Sequence, residues 1–375
     1  MSPLRIGFDT SPLYGPKTGI GYAVEAMRSA LGQRSDVEVV DYLLSARARP
    51  ETSVRRLPLP AAIAHQCWAR SDHPKVDRWL RDIDVIHGTN YVVPPSLLPR
   101  LVSVYDCWFL RHPADASPAV RLAGRVLRRA VDSGAVVHAS SHATAAAVLE
   151  YFPDAAVHTV HLAALALAAP PVDSPIPELN DRPFIVAIGT LERRKNLPRL
   201  VAAFGHLAAQ EPDVRLVIAG ADGDDRDAIN AAVDALGSHA MQVMFTGRID
   251  ESVRSWLLHH ASVLAYPSLD EGFGFPLLDA MQAGLPIVAS NAGAIPEVAG
   301  EAALLCAATD TMALAANLQT ALASPSVRAH LVESGEQQLT RFSWERCGAE
   351  MADLYRRVAA GDVGSGGNVS DSEQG

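Results

Sequence analysis

Short, continuous runs of aliphatic and β-branched residues alternate with longer stretches of helical periodicity along the whole chain, and this alternation constrains the fold most. In the first half the runs are 4–8 (LRIGF), 37–43 (VEVVDYL), 84–88 (DVIHG), 101–105, 135–139 and 157–160. Helix-like stretches lie at 19–31, 74–82, 117–131 and 142–151. The segment 170–183 (PPVDSPIPELNDRP) then breaks the pattern. Proline fixes φ and removes backbone donors, so this segment reads as a joint. The alternation restarts with runs at 184–190, 214–220, 242–247, 262–268, 286–290 and 302–306, and with helical segments that include 197–210 and 251–261. Apolar runs without polar alternation suit strands covered on both faces, as in parallel sheets. The expected fold is α/β, with two doubly wound, Rossmann-like domains facing across a cleft. The first spans 1–170, a linker follows at 171–183, and the second spans 184–342. Ligands of such sheets bind beyond the carboxyl ends of the strands.

Charge supports the same division. Residues 1–170 hold 18 Lys+Arg against 15 Asp+Glu (+3), and residues 171–375 hold 14 against 27 (−13). The total of −10 argues against general nucleic-acid binding. With 375 residues and 49% apolar types, the chain has ample material for two cores and none of the bias of a disordered or fibrous protein. No apolar run approaches the roughly 20 residues that cross a bilayer. The start of the chain turns directly into a strand pattern without the apolar core of a signal peptide, so a cytoplasmic location is expected. Cys67, Cys107, Cys306 and Cys347 are widely spaced and read as reduced thiols, not as a metal or disulfide framework. The Gly/Ser-rich end (361–375) reads as a disordered tail, and its Asn-Val-Ser triplet as a chance match.

Three loops carry residues suited to chemistry. In TGIGY (18–22), Gly19 and Gly21 let backbone N–H groups approach an anion at a helix start. Val24 occupies the third position of a GxGxxG pattern, which weakens a Rossmann-type NAD(P) oxidoreductase reading. GTLERRKN (189–196) puts Arg193, Arg194 and Lys195 in a loop between strand and helix, where cations suit a diphosphate. In DEGFGFPLLDAMQAG (270–284), Gly272 and Gly274 give a permissive backbone and Pro276 suits a first helical turn. Glu271 before that helix and Asp279 within it can bracket a polyhydroxyl ligand, since carboxylates accept paired hydrogen bonds. His87, ending a strand, reads chiefly as a structural hydrogen bonder. His158 and His161 share an expected strand on opposite faces, and His259 and His260 end a helix.

Together these segments resemble glycosyltransferase family 4, the retaining, nucleotide-sugar-dependent enzymes of GT-B fold, over about 360 residues. The most specific part is EGFGFPLLDAMQAGLPIVAS, where Glu271 matches the first glutamate of the family's pattern and Asp279 takes the place of the second. HGTNYVVPP (87–95) and YDCWFLRHP (105–113) resemble segments of members that transfer mannose and related sugars. The resemblance implies that the first domain is the acceptor side and that the second, the donor domain, holds the nucleoside diphosphate. Arg194 and Lys195 would neutralise it, helped by backbone donors at Gly19 and near Pro276. Glu271 and the amides of Gly272, Phe273 and Gly274 would grip the donor sugar, and Asp279 the ribose. Tyr105 stands where many members have a histidine before an aspartate, and Asp106 retains that aspartate. The helix in 342–358 would return to the first domain, with 343–360 joining it.

No metal and no cofactor are implied, because the nucleotide sugar is a substrate and cations with helix dipoles serve the leaving group. The expected activity is transfer of a hexose, with mannose the first candidate, to a glycan or lipid-linked acceptor in polysaccharide biosynthesis. A non-catalytic sugar-nucleotide-binding protein is the alternative. Arg121, Arg125, Arg128 and Arg129 follow one face of the 117–131 helix. A solvated face is the plain reading, and peripheral contact with an anionic membrane, at its inner surface, is the functional one.

Overall fold

A computed structural model of the chain describes residues 2–15, 18–45, 53–180 and 182–364. Residues 365–375, with the Asn-Val-Ser triplet, lie outside them, as does most of the expected tail. The chain divides into two compact units, Met1–Leu162 with Ser343–Gly375, and Ala163–Phe342. The division falls at 162/163 and not near 170, so the proline-rich segment lies wholly in the second unit.

The first unit contains β1 (Leu4–Asp9), β2 (Val37–Leu44), β3 (Arg55–Leu57), β4 (Val85–Gly88), β5 (Arg100–Val104), β6 (Val136–Ala139) and β7 (Val157–Thr159). They form one parallel sheet in the order β3-β2-β1-β4-β5-β6-β7. The second unit contains β8 (Phe184–Ile188), β9 (Arg215–Ala219), β10 (Val243–Gly247), β11 (Val263–Tyr266), β12 (Ile287–Ser290) and β13 (Ala303–Cys306). Its parallel sheet runs β10-β9-β8-β11-β12-β13. In each sheet the order reverses beside the first strand, at β1/β4 and at β8/β11. Such a switch point opens a crevice at the carboxyl ends, because flanking helices depart to opposite faces.

The apolar runs fold as their two-sided burial requires. Ile86, Val102 and Val137 anchor one core, and Ile185, Leu216 and Leu264 the strands of the other, all fully buried. Side-chain caps start several helices: Ser117 accepts from Val120 N, Ser141 from Thr144 N, and Asp250 from Val253 N. The helix expected over 74–82 does not form. Val76 and Leu80 are fully buried, but in a run of turns where Asp77 accepts from Ser96 Oγ and Leu97 N, both at 2.7 Å. The expected strand holding both His158 and His161 ends at Thr159. The helix Ala61–Trp68 and the short β3 occupy a stretch whose sequence suggested no element.

The helix Trp344–Ala360 belongs to the first unit, where it packs on the helix Gly19–Gly32. Gly348 permits this approach, since a Cβ there would stand 3.2 Å from Ala30 Cβ. Tyr355, fully buried, hydrogen-bonds His87 Nδ1 at 2.8 Å.

Candidate active site

In the second unit, the loops after β8 and β11 meet at the switch point. Arg193–Lys195 form one 3-10 turn after β8. Asn196 follows in the left-handed region (φ 55°) and starts the helix Leu197–Ala208. Its buried carboxamide donates to Pro267 O (3.0 Å) and Ala308 O (2.8 Å), so it ties the cationic turn to the loop after β11. Asparagine tolerates this conformation better than most residues.

Arg194 and Lys195 point at one carboxylate. Arg194 Nη1 lies 2.5 Å from Glu271 Oε2 and donates to Asp270 O at 3.1 Å, and Lys195 Nζ lies 2.6 Å from Glu271 Oε1. Lys195 also sits 5.0 Å above the centre of the Tyr266 ring and 3.3 Å from its hydroxyl. The side chains of Arg194, Lys195 and Glu271 are 17%, 13% and 6% exposed. Burial alone would push the Glu271 carboxyl up, but Lys195 and Arg194 outweigh it and hold it at about 2. Glu271 is therefore an anion at neutral pH and acts as a hydrogen-bond acceptor, not as a general acid. Burial lowers the Lys195 ammonium, with Glu271 opposing. Of the three cations expected here, Arg193 is exposed.

Two glycines set the backbone around Glu271. Gly274 (φ 101°) precedes the helix Phe275–Gln282, whose start has Pro276 in its first turn and no side-chain cap. Gly293 (φ 56°) lies against the Glu271 backbone, where a Cβ would fall 2.4 Å from Glu271 O. Gly272 and Phe273 complete the loop, with Phe273 buried against Phe275 and Phe342.

Asp279 is buried on the Phe275–Gln282 helix and pairs through Oδ2 with Arg254. Its Oδ1 is buried without a hydrogen-bond partner among the described residues. Burial raises Asp279 to about 6 against the pull of Arg254. Arg254 is also held by Glu251 at 2.6 Å. The i, i+3 spacing of Glu251 and Arg254 was visible in the sequence, but nothing there linked either to Asp279.

The first-unit residues are placed differently. Gly19 and Gly21 lie in the first turn of the helix Gly19–Gly32, which has no side-chain cap. Val24 is fully buried on that helix, so the third glycine position is a packing position. Tyr105, in the place of the family's histidine, is buried and donates to Thr89 O at 2.9 Å. Asp106 is half-buried; its Oδ1 accepts from Trp108 N at 3.1 Å and starts the short helix Trp108–Arg111. His87 cannot stand in for a charged histidine at that loop. It is fully buried, and its two ring nitrogens are taken by Tyr355 Oη and Ser103 Oγ, both at 2.8 Å. Ser103 continues to His138, which reaches Val160 O at 3.0 Å. Burial and the neighbouring His138 push His87 well below its ordinary range, so it stays neutral.

On the helix Pro118–Asp132, Arg121, Arg125, Arg128 and Arg129 are exposed while Val126, Leu127 and Ala130 are buried. Among the described residues, three of the four have side-chain contacts. Arg121 donates to Ala116 O, Arg128 stacks 4.7 Å over the Phe152 ring, and Arg129 meets Asp72 at 3.3 Å. The four cysteines are free. Among the described residues no helix is long and apolar enough to cross a membrane.

Residues 172–338, nearly the whole second unit, match the family described as glycosyl transferases group 1. The chain is 28% identical, over a 390-residue alignment, to the O-antigen chain mannosyltransferase B of Escherichia coli, covering 94% of this chain and 100% of that protein. Among solved structures, sucrose-phosphate synthase from Thermosynechococcus elongatus superposes with a TM-score of 0.74 at 19% identity, covering 96% of this chain and 100% of the other. Anabaena HepE, solved in complex with UDP and glucose, gives 0.69 at 15% identity, covering 94% and 99%. The paired parallel sheets have the GT-B fold of these proteins. The second unit thus carries a glycosyl transferases group 1 domain, and the chain is a glycosyltransferase of GT-B fold similar to those of family 4.

Proposed function

We propose that this glycosyltransferase moves a hexose, mannose first among the candidates, from a nucleoside-diphosphate sugar to a glycan or lipid-linked acceptor, with retention at the transferred carbon. The observation that carries the reading is the Arg194–Glu271–Lys195 cluster at the β8/β11 switch point. A buried carboxylate shared by two cations is a charge arrangement that a diphosphate can enter by exchange. The incoming phosphate oxygens take over Arg194 and Lys195, which then stabilise the charge that grows as the sugar–phosphate bond breaks. Glu271, relieved of its partners, turns its oxygens to the hydroxyls of the donor sugar, with the amides of Gly272, Phe273 and Gly274 beside it. The unpaired Oδ1 of Asp279 supplies an acceptor for ribose while Arg254 fixes the carboxylate. In the first unit, Gly19 and Gly21 offer backbone donors to phosphate, and Asp106 is the candidate contact to the donor sugar. The leaving phosphate oxygen takes the acceptor's proton.

No cofactor enters this scheme, and with two cations at the diphosphate no metal ion is required; transfer is expected to survive a chelator. The mannosyltransferase relative favours mannose, and the UDP held by HepE makes uridine the first base to test. Thermal-shift assays with nucleoside diphosphates, followed by mass spectrometry of products from the matching sugars, test the reading. A stabilising diphosphate and a product one hexose heavier support it; no diphosphate binding overturns it. The exposed arginines at 121, 125, 128 and 129 are proposed to contact an anionic membrane surface. Flotation with liposomes that lack or contain anionic lipid tests this, and binding independent of lipid charge rejects it.

A further inference from the structure

Arg254 stands on the helix Glu251–His260 and divides its guanidinium between two carboxylates. Asp250 caps that helix by accepting from Val253 N at 2.9 Å, which fixes the turn that carries Glu251 and Arg254. Nε and Nη2 of Arg254 donate to the two oxygens of Glu251, at 3.0 and 2.6 Å. This fork leaves Nη1, which donates to Asp279 Oδ2. Glu251 is exposed, whereas the side chains of Arg254 and Asp279 are 17% and 6% exposed. Arg254 thus connects a carboxylate in solvent to one in the interior.

Asp279 differs from Glu271 in how its oxygens are used. Glu271 engages both, one with Lys195 and one with Arg194. Asp279 engages one with Arg254, and its buried Oδ1 has no hydrogen-bond partner among the described residues. Burial favours the neutral form of Asp279, the charge of Glu251 adds to that, and Arg254 opposes both. Tyr266, the ring beneath Lys195, is pushed well above its ordinary range by burial, and the charges of Glu271 and Asp279 add to it. Both carboxylates therefore act on one side chain of the diphosphate cluster. Two further helices pack on Phe275–Gln282: Pro325–Leu339, whose Gly335 lies against Met281, and Ile295–Ala299, whose Ile295 and Val298 are buried. Among the described residues, the charged groups that act on Asp279 are Arg254 and Glu251.

We infer that Arg254 is a positioning residue for the donor nucleotide: anchored by Glu251, it holds Asp279 by one oxygen and leaves the other to accept from the ribose hydroxyls. The inference rests on the function proposed above and deepens it, because it names the residue through which ribose is told from a sugar that lacks those hydroxyls. An ionised carboxylate accepts and does not donate, and its hydrogen bonds to hydroxyls are charge-assisted. Without the guanidinium, burial and Glu251 act on Asp279 unopposed. The carboxyl then takes up a proton at a pH where the wild type holds none, and the charge assistance is lost.

Titration calorimetry on the full chain, with UDP, 2′,3′-dideoxyuridine diphosphate and pyrophosphate, tests it; GDP and its dideoxy analogue replace the uridine pair if GDP gives the larger thermal shift. Near neutral pH the wild type should bind UDP about ten-fold or more tightly than the dideoxy compound. Arg254→Ala should cut that ratio to about two-fold or less with pyrophosphate binding unchanged, and Arg254→Lys should recover most of it. Titration of the phosphates cancels in the ratio. In the wild type the ratio should fall as pH drops through about 6, where Asp279 gains its proton, and in Arg254→Ala it should fall at a higher pH. Were the wild type to bind no nucleoside diphosphate, the functional reading itself would fall. Normal diphosphate binding with equal affinity for the two uridine compounds overturns the role of Arg254 alone. So does a ratio or a pH profile unchanged in Arg254→Ala, or a loss of pyrophosphate binding in step with UDP. If Arg254→Ala does not fold, Arg254→Gln, which keeps a donor and removes the charge, decides on the same criteria.

Discussion

The two units share a strand order yet place opposite electrostatics at equivalent points of the sheet. At β8/β11, two cations and a glutamate crowd together, with the glutamate held at about 2. At β1/β4, Asp9 has no cationic partner among the described residues and is raised by burial to about 6, with Ser11 opposing. The same topology thus carries a cation-paired carboxylate at one switch point and, at the other, a carboxylate with no cation among the described residues. Topology fixes where a ligand lies; which ligand it is depends on a few loop side chains.

The strongest way to break this contrast is to remove the cations. Arg194→Ala with Lys195→Ala should cut transfer by on the order of 10³-fold and abolish the thermal shift from nucleoside diphosphate. Steady-state turnover and thermal shift check both. Next, Glu271→Ala should lower turnover by roughly 10²-fold while diphosphate affinity holds or rises, because phosphate replaces the lost counter-charge. Titration calorimetry reads the affinity, and a fall parallel to turnover would reject the exchange of partners. A smaller effect is expected for Asn196→Ala, which leaves Pro267 O and Ala308 O unpaired and places alanine at positive φ. Denaturation should show a loss of about 2–3 kcal/mol. Asn196→Gly relieves the backbone but not the missing hydrogen bonds, so it should recover only part.

The smallest effect sharpens the other side of the contrast. Between about pH 4 and 6 folded Asp9 retains a proton that the unfolded chain has released. Stability due to this group therefore falls as pH rises through that window and stays lower above it. Asp9→Asn should remove about 2 kcal/mol of that fall, seen as a smaller difference between urea denaturations at pH 4 and pH 7.

The strands were legible because two-sided burial demands continuous apolar runs, and FIVAI at β8 can be little else. The cationic turn and the EGFGF loop were legible too, since each is contiguous in sequence. What escaped depends on pairs brought together by folding. Asp279 meets an arginine 25 residues away, and Glu271 meets its cations 76 and 77 residues away. Tyr105 donates its hydrogen bond to a carbonyl on a neighbouring loop. The 74–82 segment failed as a helix for a related reason: Val76 and Leu80 do reach the core, but Asp77 is fastened to the Ser96 turn.

The hydrogen-bonded line from Tyr355 through His87 and Ser103 to His138 joins the last helix to strands made far earlier in the chain. During synthesis, His87 waits for its partner until Tyr355 has emerged, some 268 residues later. The second unit, contiguous from Ala163 to Phe342, has all its strands by then. The unit begun first is thus the one completed last, and interrupted synthesis leaves a finished second unit attached to a first unit with an open core.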